Sequence, residues 1–428
     1  MFKFKMSYKI KKRIYYNKTI KLINLLIYLI FFINFDIKNI IKKKYNLIEK
    51  IHKFEKNITK LEIKEFLKTN SKDILLEEIN YKKRNSSTII PDISVILTIH
   101  NQGHCIHKAL RSIQNQSLKN IEIIIIDDCS LDNSTEIIEK FKDIDDRIVI
   151  IKNNINEGPM KARSEGIRLA KGKYITIIDG DDLYIHKNIL YDSLYIANLE
   201  DLDIIEFKAI IYRNGKFRKI VNDFKINNII YQPELRTKFF HIDNKDSIRS
   251  IKNRVIWAKL IKREIFLKAL NYIGLKYSDD YILTYEDTIL AVAIYQTANS
   301  YYLMNEKGYI YSKDEKKKKF RLNRFTKIKK CKPNNKIKDF GPVKLLQFLI
   351  EKTKSNWYEK QMIYKEIISI NYYTKFYKFI NHHFEIVYNI FDEMIKCRFL
   401  SKEQKRKLFL IKSKLMEKEK VLNNTIKK

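Results

Sequence analysis

Apolar and polar residues change their period twice along the chain, and each change marks a different kind of structure. From about Lys42 to Ser87 the apolar positions Leu47, Ile51, Phe54, Ile58, Leu61, Ile63, Phe66 and Leu67 recur at helical spacing among charged residues. From Ile93 short apolar runs alternate with amphipathic stretches. Strands are predicted over Ile93–Thr98, Ile121–Ile126, Arg147–Ile151 and the run ending Ile175–Ile178, with helices over His107–Gln116, Thr135–Phe141 and from Pro159 through Arg163 to Ala170. Such alternation predicts an α/β domain, a mostly parallel sheet with helices on both faces, whose ligands bind beyond the carboxyl ends of the strands. After Ser312 a basic tract reaches Lys338, and helical periodicity returns over Val343–Glu351, Met362–Phe379, His383–Ile395 and Lys402–Lys418. Between Ile204 and Asp280 the residues that would line a ligand pocket form no readable pattern.

One further run has neither period. Leu22 to Phe35 carries no charge and follows a leader rich in Lys and Arg without a single acid. Its fourteen residues reach only ~21 Å as a helix, against a hydrocarbon core of ~30 Å, so a spanning helix must extend to Ile41. No small-residue cleavage site follows. The expectation is an uncleaved signal anchor at 22–41, with the basic residues 1–21 in the cytoplasm and the remainder in a secretory-pathway lumen. A buried or membrane-surface helix is the other reading.

Two strand ends carry acids. The fourth strand empties into Asp179, Asp181 and Asp182 around Gly180, and the second ends in Asp127-Asp128. Carboxylates at i and i+2 can converge on one hard divalent cation, Mg²⁺ or Mn²⁺, if Gly180 lets the backbone bend. An acidic turn capping the next helix remains open.

Composition narrows the partners. The formal charge is +35, but Lys is spread through every segment, whereas a nucleic-acid footprint clusters on one face, so no nucleic acid is expected. The cysteines Cys105, Cys129, Cys331 and Cys397 have neither a metal-ligand spacing nor a disulfide framework. The eight histidines are scattered and read as surface residues.

Pro91-Asp-Ile-Ser-Val-Ile-Leu-Thr-Ile-His-Asn101, Ile126-Asp-Asp-Cys-Ser-Leu-Asp132, Asn156-Glu-Gly-Pro-Met-Lys-Ala-Arg163, Gly172-Lys-Tyr174 and Asp179-Gly-Asp-Asp182 occur in this order. With them the sequence resembles the family-2 inverting glycosyltransferases over about Pro91 to Tyr311. Val255 to Arg263, with Trp257, and Tyr285-Glu-Asp287 look like that family's acceptor-side elements. The resemblance implies a GT-A (Rossmann-like) fold, a nucleotide-sugar donor (a UDP-sugar), a glycan or glycoconjugate acceptor and a divalent metal. It places Thr98 and Asp128 against the nucleobase, Arg163 near the base or diphosphate, Asp179 at the ribose and metal, Asp181 on the metal, and Asp287 as general base.

Three positions depart from the family's pattern. Cys129 stands where glycine is common, which is tolerated if its φ stays negative. His100 replaces a frequent Tyr and reads as a packing residue of the loop. Glu286 beside Asp287 leaves the identity of the base open, since neighbours on a helix or loop point apart. The domain expectation is a leader (1–21), anchor (22–41), helical stem and linker (42–90), catalytic domain (91–312), basic linker (313–341) and helical C-terminal domain (342–428). A nucleotidyltransferase of similar fold and a catalytically inactive, glycan-binding relative are the alternatives, and one candidate span disfavours a multi-pass synthase.

Overall fold

The computed structural model describes residues 90–213, 216–221, 228–235, 254–280, 282, 284–313, 341–352, 363–364, 367 and 384–426. The expected anchor at 22–41, the stem at 42–90 apart from Ile90, and the linker at 313–341 apart from its two ends lie outside the described residues. Among the described residues no helix is long and apolar enough to cross a membrane.

The isoleucine-rich runs form strands β1 (Ile93–Ile99), β2 (Ile121–Asp127), β3 (Ile148–Lys152) and β4 (Tyr174–Asp179). Helices α1 (Ile106–Gln114), α2 (Ser134–Lys142) and α3 (Pro159–Leu169) connect them. These bounds lie within two residues of the expected ones. Beyond β4 come β5 (Leu183–Tyr184), α4 (Ile189–Leu199), β6 (Ile204–Arg213), β7 (Lys216–Val221), β8 (Ile230–Tyr231), β9 (Lys259–Lys262), α5 (Arg263–Ile273) and the single turn α6 (Leu275–Ser278). Then follow α7 (Glu286–Thr297), β10 (Ser300–Lys313), α8 (Gly341–Lys352), α9 (Phe384–Lys396) and α10 (Lys402–Ile426).

One sheet runs in the order β3-β2-β1-β4-β9-β6-β10-β5, with β7 against β6 and β8 against β10. The first four strands are mutually parallel; β9 is antiparallel to β4 and β6, and β10 is parallel to β6. Ile96, Ile124, Ile126, Ile175 and Ile177 share one apolar cluster with Met160 and Ile167 of α3, Phe266 of α5 and Leu290 of α7. The alternate residues Val95, Leu97, Ile123 and Ile125 are equally buried outside that cluster, so both faces are covered, as a parallel sheet requires. Glu122, near the start of β2, accepts hydrogen bonds from Ser94 Oγ and from the backbone N–H groups of Lys171 and Gly172, closing the amino end of the sheet.

The same cluster continues into the C-terminal helices through Phe348, Phe391, Leu408 and Leu415. Phe348 meets Tyr272 and Tyr277 edge-on, Tyr272 Oη donates to the Lys352 carbonyl at 2.6 Å, and Tyr277 Oη donates to Glu351 at 2.8 Å. Helix α8 is thereby fastened to α5 and α6. Helix α10 runs past the expected Lys418 because no Gly or Pro interrupts it before Ile426.

Candidate active site

The site assembles where four chain segments end. Thr98, next to last in β1, lies in register between Ile126 and Asp179, so neighbouring parallel strands bring the two acidic motifs to one edge. Of the non-glycine residues with positive φ among the described residues, Asn101, Cys129, Ala258 and Tyr285 all sit in the loops beside this edge. Strained backbone of that kind gathers at functional sites.

The two acids after β2 do different work. Asp127 accepts from Ser130 N–H and Thr135 Oγ, which pins the loop and the start of α2. Asp128 is buried, and its Oδ1 accepts from Asn153 Nδ2 (3.1 Å) and Glu157 N–H (2.8 Å) while Oδ2 accepts from Gly158 N–H (2.9 Å). Burial raises its pKa, opposed by those three bonds. Oδ2 keeps one acceptor position. Gly158 has φ 84, a region glycine enters without penalty, and Pro159 follows as the first residue of α3. Asp128 therefore fixes the turn from which α3 aims Arg163.

Arg163 is the centre of the arrangement. Its buried guanidinium reaches Asp179 Oδ1 at 2.9 Å through Nη2, and Glu286 Oε1 at 2.9 Å and Asp287 Oδ1 at 3.0 Å through Nη1. Three carboxylates raise its pKa against the opposing effect of burial. Glu286 and Asp287 occupy the first turn of α7, after Tyr285 in a left-handed conformation at φ 64. The expectation that they point apart does not hold. At the open end of a helix the longer Glu side chain reaches the same nitrogen as its neighbour. Glu286 is pushed up to about 8 by burial and then by Asp287, with Arg163 opposing. Asp287 is also raised by burial, with Arg163 and Lys259 opposing.

One ligand oxygen each from Asp179, Asp181 and Asp182 lie within 4.8 Å of one another, an all-oxygen set of the kind Mg²⁺ and Mn²⁺ prefer. Their roles differ. Asp182 is buried and accepts from Tyr309 Oη and Ser312 N–H at 2.8 Å, and burial plus the charges of Asp181 and Asp179 hold its pKa well above the usual carboxylate range. Asp179 gives one oxygen to Arg163, and Asp181 is half-exposed. The residues fit a cation bound through Asp181 and Asp179, with Asp182 supporting the loop. Gly180 is not among the glycines with positive φ. Its requirement is close approach, since a Cβ there would run into Gln102 Oε1 and lie 3.0 Å from Ile99 Cγ2.

Cys129 has φ 61, so the condition set for tolerating it is not met and the residue carries left-handed strain. His100 does hold the loop together: Nδ1 donates to the Asp128 carbonyl at 2.7 Å, and Nε2, left as acceptor, takes Asn101 Nδ2 at 2.9 Å. The expectation of surface histidines fails at His107, which α1 buries; burial, then Lys108 and His104, lower it to about 4, so it is neutral.

The resemblance singled out Trp257 without giving it a contact, and the pairing of Lys259 with Glu206 escaped the sequence reading. Trp257 is buried and stacks on Tyr309 (5.1 Å) and Tyr311 (5.0 Å), alternate residues on one face of β10. It stiffens the wall carrying Tyr309, whose hydroxyl meets both Asp182 and Asp179 N–H. Lys259 and Glu206, both buried on paired strands, lie 3.3 Å apart, with Tyr301 Oη donating to Glu206 at 3.0 Å. A lysine inside the apolar run Ile256 to Ile261 was the available signal.

Parallel strands, a loop-borne acidic cluster and a second acidic pair on a helix make an α/β architecture of the GT-A kind. Residues 94–265 match the family model described as Glycosyl transferase family 2, and this segment is a family-2 glycosyltransferase domain. An uncharacterized glycosyltransferase, EpsJ of Bacillus subtilis (strain 168), is 28% identical over 223 residues, 52% of this chain and 61% of that protein. The UDP-Glc:alpha-D-GlcNAc-diphosphoundecaprenol beta-1,3-glucosyltransferase WfaP of Escherichia coli is 41% identical over 141 residues, 33% of this chain and 51% of that protein. The chain thus spans between half and two thirds of these relatives. In fold it is similar to residues 1-349 of S. aureus TarS, solved in complex with UDP-GlcNAc, with a TM-score of 0.51 at 15% identity over 78% of this chain and 91% of that one.

Proposed function

We propose that the protein transfers a sugar from a nucleotide-diphosphate sugar, a UDP-sugar, to a hydroxyl of a glycan or glycoconjugate, with inversion and with dependence on a divalent metal. The observation that carries this reading is the pairing of two acidic centres through one buried guanidinium: Asp179 beside Asp181 on one side of Arg163, Glu286 and Asp287 on the other. Single displacement at an anomeric carbon needs a base on the acceptor side and charge neutralisation on the leaving-group side, and those are two separate centres.

Asp181 and Asp179 would hold the cation, which supplies Lewis-acid neutralisation of the departing diphosphate. Thr98 and Asp128 form the floor on which the nucleobase rests, with the remaining acceptor position of Asp128 Oδ2 suited to an imide N–H. Arg163 keeps Asp179 and the α7 acids at a set separation. Asp287 takes the acceptor proton. Of the two acids its side chain is the more exposed, 27% against 13% for Glu286, so an incoming hydroxyl reaches it more readily. The donor named for WfaP and the UDP-GlcNAc bound to TarS support a uridine nucleotide.

The test is a screen of nucleotide sugars for transfer or donor hydrolysis with Mg²⁺, with Mn²⁺ and with EDTA, using wild type and Asp181→Ala. Asp181→Ala, at a half-exposed loop position, is expected to keep the fold and lose transfer. Full activity of that variant in EDTA would remove the metal from the mechanism.

A further inference from the structure

Helix α7 brings Glu286 and Asp287 to Arg163, and the chain leading into it is tied on two sides. Asp279 and Asp280, adjacent residues just after α6, pair in different directions. Asp279 Oδ1 accepts from Arg168 Nη2 of α3 at 2.7 Å, and the same nitrogen donates to Ser278 Oγ at 2.9 Å. Asp280 Oδ2 meets Lys344 Nζ of α8 at 2.5 Å. Within α6, Lys276 Nζ donates to Glu351 Oε1 of α8 at 2.6 Å and Tyr277 Oη to its Oε2 at 2.8 Å. Ile282 is buried in the apolar cluster that holds Val343 and Leu346 of α8, and α8 packs against α7 itself.

The length of the connection gives these ties their weight. Arg163 and Arg168 are five residues apart on α3, ~7.5 Å along the helix axis. The seven residues from Asp279 to Glu286 can reach about 23–25 Å, so fixing both ends on α3 leaves slack. Its course is set by what else holds it. Lys344 holds Asp280 beyond the first tie, and Glu351 holds the turn from which the segment leaves. We infer that α8 is a positioning element for the acids of α7: Lys344 and Glu351 hold the approach to that helix so that its first turn closes on Arg163. Their partners are Asp280, Lys276 and Tyr277, not Glu286 or Asp287, so both act through the backbone that follows. The catalytic consequence rests on the proposed function, in which Asp287 must meet an acceptor hydroxyl, and a displacement of about 1 Å at such a group costs up to about a hundredfold in rate.

The test uses the full chain carrying Lys344→Met with Glu351→Met, followed by hydrogen exchange in peptides spanning 282–290 and read by mass spectrometry. Ile289 N–H closes the first turn of α7 on the Tyr285 carbonyl at 3.0 Å and is the reporter. Removing these partly exposed ties is expected to speed its exchange by about twofold to fivefold, with the amides of β1 to β4 unchanged. Exchanging the charges, Lys344→Asp with Asp280→Lys in a chain that keeps Glu351, is expected to restore wild-type exchange, whereas Lys344→Asp alone is not. With a nucleotide sugar that the wild type turns over, the Met variant is expected to lose about tenfold or more in transfer while keeping its nucleotide affinity. Unchanged exchange at Ile289, equal acceleration across β1 to β4, or unchanged transfer with Ile289 exchange raised overturns the inference. A wild-type chain that transfers no sugar, with the exchange pattern as expected, counts against the proposed function and leaves the positioning by α8 standing.

Discussion

At Cys129 the backbone adopts φ 61 in a side chain that has a Cβ. Relief of ~1–2 kcal/mol of left-handed strain, less the ~0.4–1 kcal/mol that glycine adds through the unfolded state, leaves Cys129→Gly about 0.5–1 kcal/mol more stable. Thermal unfolding should show the midpoint rising by a few degrees. Unchanged or lower stability would mean that the loop between Asp128 and Ser130 relieves the strain some other way. Arg163 is the opposite case. Arg163→Gln leaves Asp179, Glu286 and Asp287 around an uncharged amide, and breaking a buried ion pair costs about 3–5 kcal/mol. Denaturant titration should register a loss of that order, and Arg163→Lys should recover part of it, because a lysine keeps the charge but not the fork that serves two sides at once.

The first turn of α7 carries the next prediction. If Asp287 is the base, Asp287→Asn lowers turnover by roughly 10²–10⁴-fold while nucleotide affinity is kept. Glu286→Gln should retain measurable transfer. Normal turnover in Asp287→Asn with a dead Glu286→Gln reverses the two roles. Because burial raises Asp287, the rate should climb with pH through a limb above the usual carboxylate range. The stability sign is fixed by the same shift. With Glu286 raised to about 8, the folded protein holds a proton that the unfolded chain releases near the ordinary Glu value. This contribution is complete below that value and is lost as pH rises toward 8, so Glu286→Gln should gain stability relative to wild type between about pH 5 and pH 8.

For the whole molecule, the charge-free run Leu22 to Phe35 behind its basic leader leads to a proposal about location: a single-pass protein anchored through 22–41, with the stem and catalytic domain beyond it. Full-length protein is expected to sediment with membranes and resist carbonate. A chain starting near Ser87 should stay in the supernatant, since it lacks the apolar run. Release of both equally would remove the anchor from the proposal.

The sequence by itself determined the first four strands, the three helices between them and the acids at their ends. Continuous isoleucine runs, Asn156-Glu-Gly-Pro159 and the Asp179 cluster are local signals, and each element can be read from residues adjacent in the chain. It did not show the strands between Ile204 and Asp280, where β6 and β9 owe their burial to strands far off in sequence and so have no period of their own. Tertiary structure alone decided which acids meet. Arg163 lies 123 residues from Glu286 and 16 from Asp179, and no spacing rule joins them. It also decided that Asp182 is tied to Tyr309, that Lys259 meets Glu206, and that Cys129 must bear a positive φ. Those outcomes depend on how far each group is removed from water and on what charge stands opposite it. Both quantities are set by the packed sheet and its helices and by no single stretch of the chain.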